Sequence, residues 1–187
     1  MSATDKQRFI KKVTVLCDTR EQQNNHIITA LDNMGIAHEV RKLDFGDYSF
    51  RFEDRDFSLQ CVVERKANVN ELWGNISADR ERFEKEIATM HAVTGSANLI
   101  IEHCPDRDFL IDFKVPQKLI QHSNRKVENI GQYVYGTLQS WGSSNRYRLI
   151  VHYMRGNSGT ANLLLNIFYY YYRNYRELIK PLRSSKT

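Results

Sequence analysis

Three apolar, β-prone runs in the first third of this chain each stand beside acidic residues. Val13-Thr14-Val15-Leu16-Cys17 leads into Asp18-Thr19-Arg20-Glu21. Gly46-Asp47 precedes Tyr48-Ser49-Phe50. Leu59 to Val63 leads into Glu64-Arg65-Lys66. A carboxylate at the end of a buried strand loses its hydration and needs compensation. A divalent cation with hard oxygen ligands supplies it. Glu64 and Lys66 are two residues apart, so a strand presents both on one face. A carboxylate and an ammonium on one face, with a further Asp nearby, form a minimal set for metal-assisted phosphodiester hydrolysis. The carboxylates hold the cation, the cation activates water, and the lysine orients water or stabilises charge. Glu-x-Lys alone is a common surface ion pair. The combination of the three charged sets is what discriminates.

Length and charge narrow the class. With 187 residues, 41% hydrophobic and 26% charged, the chain reads as one globular domain with a full core. No apolar run is long enough to span a bilayer. The start, Met1 to Arg8, lacks the apolar stretch of a secretory signal. The expectation is therefore no membrane partner and an intracellular setting, cytoplasmic in a bacterium or phage and nuclear in a eukaryote. Cys17, Cys61 and Cys104 are too few and too scattered for a disulfide framework or a zinc site and read as reduced. The six histidines show no HExxH or HxH spacing. The net charge of +5 fits a polyanionic partner.

Periodicity gives an alternation of strands and helices. Residues 1–12 read as a mobile lead-in. Val13 to Cys17 is a buried strand, and Asn24 or Asn25 caps a helix that Gly35 ends. Ala37 to Leu43 is a second strand. In Asp47 to Phe52, Tyr48, Phe50 and Phe52 share one face. Glu53 to Asp56 forms a hairpin turn, and Phe57 to Glu64 returns as the partner strand. Asn68 caps a short helix with Leu72 and Ile76, and a longer helix from about Ala78 to Val93 carries Phe83, Ile87 and Met90. Asn98 to Glu102 is a buried strand, and 104–129 reads as a polar, lid-like insertion. Ile130 to Trp141 is helical, Tyr147 to Tyr153 a last strand, and Thr160 to Ile179 a long helix. This pattern implies an α/β fold with a mixed central β-sheet flanked by helices.

The sets Val15 to Glu21, Gly46-Asp47 and Val63 to Lys66 resemble the nuclease domain of the XPF family of structure-selective endonucleases. That family belongs to the PD-(D/E)xK superfamily and reads V-x-D-x-R-E, G-D and E-R-K-x-x-x-D. Supporting similarity runs through Ile76 to Met90, Leu99 to Glu102, Tyr135 to Trp141, Leu149 to Val151 and Thr160 to Leu163. The resemblance implies a restriction-endonuclease-like core over residues 13–180, followed by a basic tail at 181–187. It implies metal ligands at Asp18, Asp47 and Glu64, with Lys66 completing the catalytic set and Mg2+ or Mn2+ as cofactor. It implies that Arg20 and Arg65 bind phosphate or hold the carboxylates in place. Glu21 would act through water. The substrate would be branched or flapped DNA in recombination, repair or replication. Asn70 stands where the family carries Asp, with Glu71 beside it. The family's tandem helix-hairpin-helix pattern does not occur in this sequence, so a stand-alone form is expected, pairing as a homodimer or with a partner subunit. The alternative is a non-catalytic DNA-binding or scaffold subunit.

Two further features bear on binding. Phe168, Tyr171, Tyr172 and Tyr175 fall at helical spacing and read as a packing stripe, with a dimer interface as the expected partner. Lys114, Lys118, Arg125 and Lys126 form one diffuse basic group. Arg173, Arg176, Lys180, Arg183 and Lys186 form another.

Overall fold

Apolar alternation places three strands at the centre of the molecule. The computed structural model describes residues 3–95, 97–114 and 129–184. In it, β1 (Val13–Cys17) pairs antiparallel with β3 (Tyr48–Phe52), and β3 pairs antiparallel with β5 (Val63–Lys66). β2 (Ala37–Val40) adds parallel to β1. β6 (Ala97–Ile101) and β7 (Leu149–Tyr153) extend the other side in parallel. The order is β2-β1-β3-β5-β6-β7, with β4 (Arg55–Asp56) attached to β3. This is the mixed α/β sheet that the sequence predicts.

Helices cover both faces. α1 (Ala3–Ile10), α2 (Asn25–Asn33) and α7 (Thr160–Ser184) lie on one. α3 (Val69–Ser77), α4 (Arg80–Thr94), α5 (Arg107–Ile111) and α6 (Ile130–Gly142) lie on the other. No helix among the described residues is long and apolar enough to cross a membrane. Each face has its own core. Val62, Leu99 and Ile101 join Phe83, Ile87 and Met90 of α4 on one side. Val63 and Ile100 join Ile27 of α2 and Phe168 of α7 on the other. The three cysteines are free and buried among these apolar residues, and burial pushes the Cys17 thiol up to about 12.

Four expectations change. Residues 3–10 are a docked helix rather than a mobile lead-in: Phe9 is 2% exposed and stacks on Phe52 at 5.6 Å between ring centroids. The return strand after β3 is broken. β4 has two residues, a turn at Phe57–Gln60 follows, and pairing with β3 resumes only at Val63 opposite Tyr48. Phe57 N still donates to Phe50 O at 3.0 Å and its ring stacks on Phe50 at 4.5 Å; the chain leaves the ladder in the turn that follows, where Gln60 N and Cys61 N donate back to Phe57 O. The aromatic stripe of α7 closes this chain's own core. Tyr171 and Tyr175 meet Phe57, and Tyr172 stacks on Phe52 at 4.1 Å, so the stripe packs within this chain, with these three tyrosines half-buried. α7 also runs on to Ser184, into the segment expected to be a basic tail. Lys118, Arg125, Lys126 and Lys186 lie outside the described residues.

Candidate active site

Strand alternation along β5 divides the charged triplet between the two faces. Glu64 and Lys66 pair in register with Leu99 and Ile101 and point toward α4. Arg65 pairs with Ile100 and points toward α2 and α7. All three are buried.

Backbone hydrogen bonds carry Asp18 and Asp47 into line with this triplet. Asp18 N donates to Asp47 O at 2.8 Å, and Asp47 N donates to Val63 O at 2.9 Å. Arg65 N then donates to Asp47 Oδ2 at 2.7 Å and fixes that carboxylate at the sheet end. Gly46 makes the approach possible. Its φ is +69°, and a Cβ there would lie 2.2 Å from Val62 Cγ1 and 3.3 Å from Val63 O, so any side chain would push the Asp47 segment off β5.

Asp47 and Glu64 form the chemically distinctive pair. Burial and the charge of Glu64 hold the Asp47 carboxyl well above the ordinary carboxylate range. Burial also raises Glu64, against the opposing effect of Lys66, whose Nζ donates to Oε1 at 2.7 Å. Burial would lower Lys66, but the neighbouring carboxylates outweigh it and keep the ammonium charged. Glu64 Oε2 is buried and has no hydrogen-bond partner. Two crowded carboxylates, one with an orphaned oxygen, are suited to a hard divalent cation. Among the described residues no group of three His, Cys, Asp or Glu side chains is arranged to hold a metal unaided. Mg2+ does not require one, because it keeps several waters and takes one or two carboxylates plus substrate phosphate. The residues therefore fit such a cation.

Asp18 does not extend the pair to a triad. Its Oδ1 accepts from Arg20 N at 2.8 Å and Arg20 Nε at 2.6 Å, and its Oδ2 accepts from Leu43 N at 2.5 Å. Burial raises this carboxyl, yet these hydrogen bonds bring it below its ordinary value. Asp18 thus ties the turn after β1 to the 41–47 loop. Arg20 continues the tie through Nη2 to Leu43 O at 3.3 Å, while its side chain stays 57% exposed at the cleft.

Arg65 borders the cleft, but its guanidinium is engaged by carboxylates. Its guanidinium is 3% exposed and donates to Glu21 Oε1 and Oε2, to Gln23 O, and to Glu102 Oε2 at 2.6 Å. Glu21 is therefore engaged by Arg65. Glu102 was invisible as a site residue in the sequence, where it only ends an apolar strand. It also accepts from Thr160 Oγ1 at the start of α7 and meets His26 Nε2 of α2 at 2.8 Å.

The cleft beside this centre measures about 760 Å³ and is lined by Arg20, Gln22, Gln23, Asp47, Lys66 and Asn70, among others. Asn70 is exposed at its rim. The adjacent Glu71 accepts from Ala67 N at 2.7 Å and lies 3.8 Å from Lys66 Nζ, so a carboxylate does approach the lysine from α3. Asn68 caps α3 by accepting from Glu71 N at 3.0 Å, as its position predicts.

The ERCC4 domain profile matches residues 17–166. Solved structures share the fold. XPF from Aeropyrum pernix aligns with a TM-score of 0.57 at 17% identity, over 92% of this chain and 69% of that one. XPF from Aeropyrum pernix in complex with DNA aligns with a TM-score of 0.60 at 16% identity, over 86% of this chain and 66% of that one. This chain thus spans about two thirds of the length of either. No curated protein sequence matches it.

Proposed function

The chain belongs to the ERCC4 domain family, whose members are nucleases, and on that premise we propose that it is a divalent-cation-dependent DNA endonuclease acting on branched or flapped DNA. The observation that carries this reading is the buried Asp47–Glu64 pair beside Lys66, with Glu64 Oε2 left without a partner. Asp47 and Glu64 would hold Mg2+ or Mn2+, which when bound supplies an activated water and offsets charge on the phosphate.

The protein's own groups do the rest. Arg65 N orients the Asp47 carboxylate. Lys66, held by Glu64 and standing 4.8 Å from the centroid of the Phe83 ring, keeps its proton and can donate it as a hydrogen bond to a phosphate oxygen. Arg20, exposed at the cleft, reaches a neighbouring phosphate. The guanidinium of Arg65 has no such role, because Glu21 and Glu102 engage it. The DNA seen with the Aeropyrum XPF supports DNA as the substrate class.

A second reading, a non-catalytic DNA-binding subunit, draws on Asn70 and on the engaged carboxylate of Asp18. One experiment separates the two. Labelled fork, flap, four-way junction, single-stranded and duplex DNA are incubated with the protein in Mg2+, in Mn2+ and in EDTA, beside Asp47→Ala and Glu64→Ala. Cleavage that needs the cation and is lost in both variants supports the nuclease. DNA binding with no cleavage in any cation supports the subunit.

A further inference from the structure

Lys66 stands between two carboxylates of different kinds. Glu64 is buried and accepts from Nζ at 2.7 Å. The Phe83 ring closes another side, with its centroid 4.8 Å from Nζ. Glu71 approaches from the first turn of α3, with Oε1 3.8 Å from Nζ. That distance is too long for a hydrogen bond and short enough for attraction between charges. The Glu71 side chain lines the cleft beside Lys66 and is 45% exposed, whereas that of Glu64 is 4% exposed and lies outside the cleft lining. The two carboxylates therefore pull the ammonium in different directions, one inward and one toward the cleft. Glu71 is itself held in place. Its Oε2 accepts from Ala67 N at 2.7 Å, and its N donates to Asn68 Oδ1 at 3.0 Å, a reciprocal cap on α3. One oxygen thus fastens the side chain to the backbone, and the other is the one near Lys66.

We propose that Glu71 is a positioning residue for the cleavage reaction, holding the Lys66 ammonium toward the cleft, where a phosphate oxygen can accept its hydrogen bond. The inference rests on the nuclease reading above. An ammonium has three N–H donors, and Glu64 takes one of those on Lys66. Glu71 orients the group by charge without taking a second, which leaves a donor for the phosphate. Without the Glu71 charge, the buried Glu64 carboxylate draws the ammonium inward unopposed. The same Glu71 charge also opposes a polyanion at the cleft. Glu71 therefore weakens DNA binding while speeding the cut, two effects of opposite sign.

Glu71→Gln separates this role from capping, because a carboxamide oxygen still accepts from Ala67 N but carries no charge. The single-turnover rate on branched DNA is measured at saturating DNA in Mg2+ or Mn2+, and DNA affinity is measured in EDTA. Glu71→Gln should cut about three- to tenfold more slowly, the scale of one partly screened ion pair. It should bind DNA at least as tightly as wild type and melt at the same temperature. Glu71→Ala, which also loses the cap, should cut as slowly as Glu71→Gln and melt lower. A Glu71→Gln protein that cuts at the wild-type rate overturns the inference, reduces Glu71 to a cap and leaves the nuclease reading intact. A loss in Glu71→Gln confined to DNA affinity does the same. A wild-type protein that cuts no DNA in any cation overturns both.

Discussion

Asp18 and Asp47 look equivalent in sequence, each beside a buried strand, yet they work in opposite senses. The Asp18 carboxyl is held below its ordinary value by hydrogen bonds from Arg20 and Leu43 N. Its stabilisation is therefore complete above a pH of about 4 and is lost as pH falls through the folded value. Asp18→Asn should cost about 2 kcal/mol in urea unfolding at neutral pH, and the gap to wild type should close in acid. The Asp47 carboxyl is held above its ordinary value by burial and by Glu64. Its favourable contribution exists at low pH and is lost as pH rises through the folded value, so at neutral pH the metal-free protein bears a cost. Asp47→Asn should raise metal-free stability by about 1 kcal/mol and remove the stabilisation that Mn2+ gives the wild type, both read from urea midpoints. The gathering of Asp47, Glu64 and Lys66 at one end of the sheet was legible because Gly46-Asp47 and the i, i+2 spacing of Glu64 and Lys66 are local. The different fates of Asp18 and Asp47 were not, since they depend on Leu43 N, 25 residues from Asp18 in sequence.

At the scale of elements, β5 acts as a double-sided bracket. One face carries Glu64 and Lys66 to the candidate site, and the other carries Arg65 into a buried charge network. Glu102 ties that network to α2 through His26 and to α7 through Thr160. Glu102→Ala would leave Glu21 pairing the Arg65 guanidinium but would remove the acceptor for Arg65 Nη1 and Thr160 Oγ1 and the partner of His26 Nε2. It should cost about 2–4 kcal/mol in urea unfolding. α1 is the second element that periodicity missed. Its eight residues are too short and polar to announce a helix, and Phe9, Ile10 and the Lys6–Asn166 hydrogen bond at 2.6 Å tie it down. Phe9→Ala removes a ring that meets Phe50, Phe52, Tyr169 and Tyr172, and should lower stability by about 3–5 kcal/mol. A mobile lead-in would leave stability unchanged. The long helices were legible from their stripes and caps, as Gly95 at the end of α4 illustrates. The broken return strand was not, because the chain turns after Phe57, whose ring packs under α7, more than a hundred residues away in sequence.

For the whole molecule, the sheet order places β1, β3 and β5 side by side, so three separated motifs converge at one end of the sheet next to one cleft. The net charge of +5 favours a polyanion at that cleft at low salt without setting its sequence. The aromatic stripe of α7 packs on the chain's own α1 and β3 through Phe168 and Tyr172. The central claim is that Asp47, Glu64 and Lys66 cut DNA with a divalent cation. Its most direct test is the single-turnover cleavage rate of the best-cut branched DNA in saturating Mg2+ or Mn2+, for wild type and for Glu64→Gln at matched DNA occupancy. The account predicts a fall of at least about a hundredfold in Glu64→Gln, since even indirect contacts to a metal site act on that scale. An unchanged rate in a folded Glu64→Gln protein would contradict it.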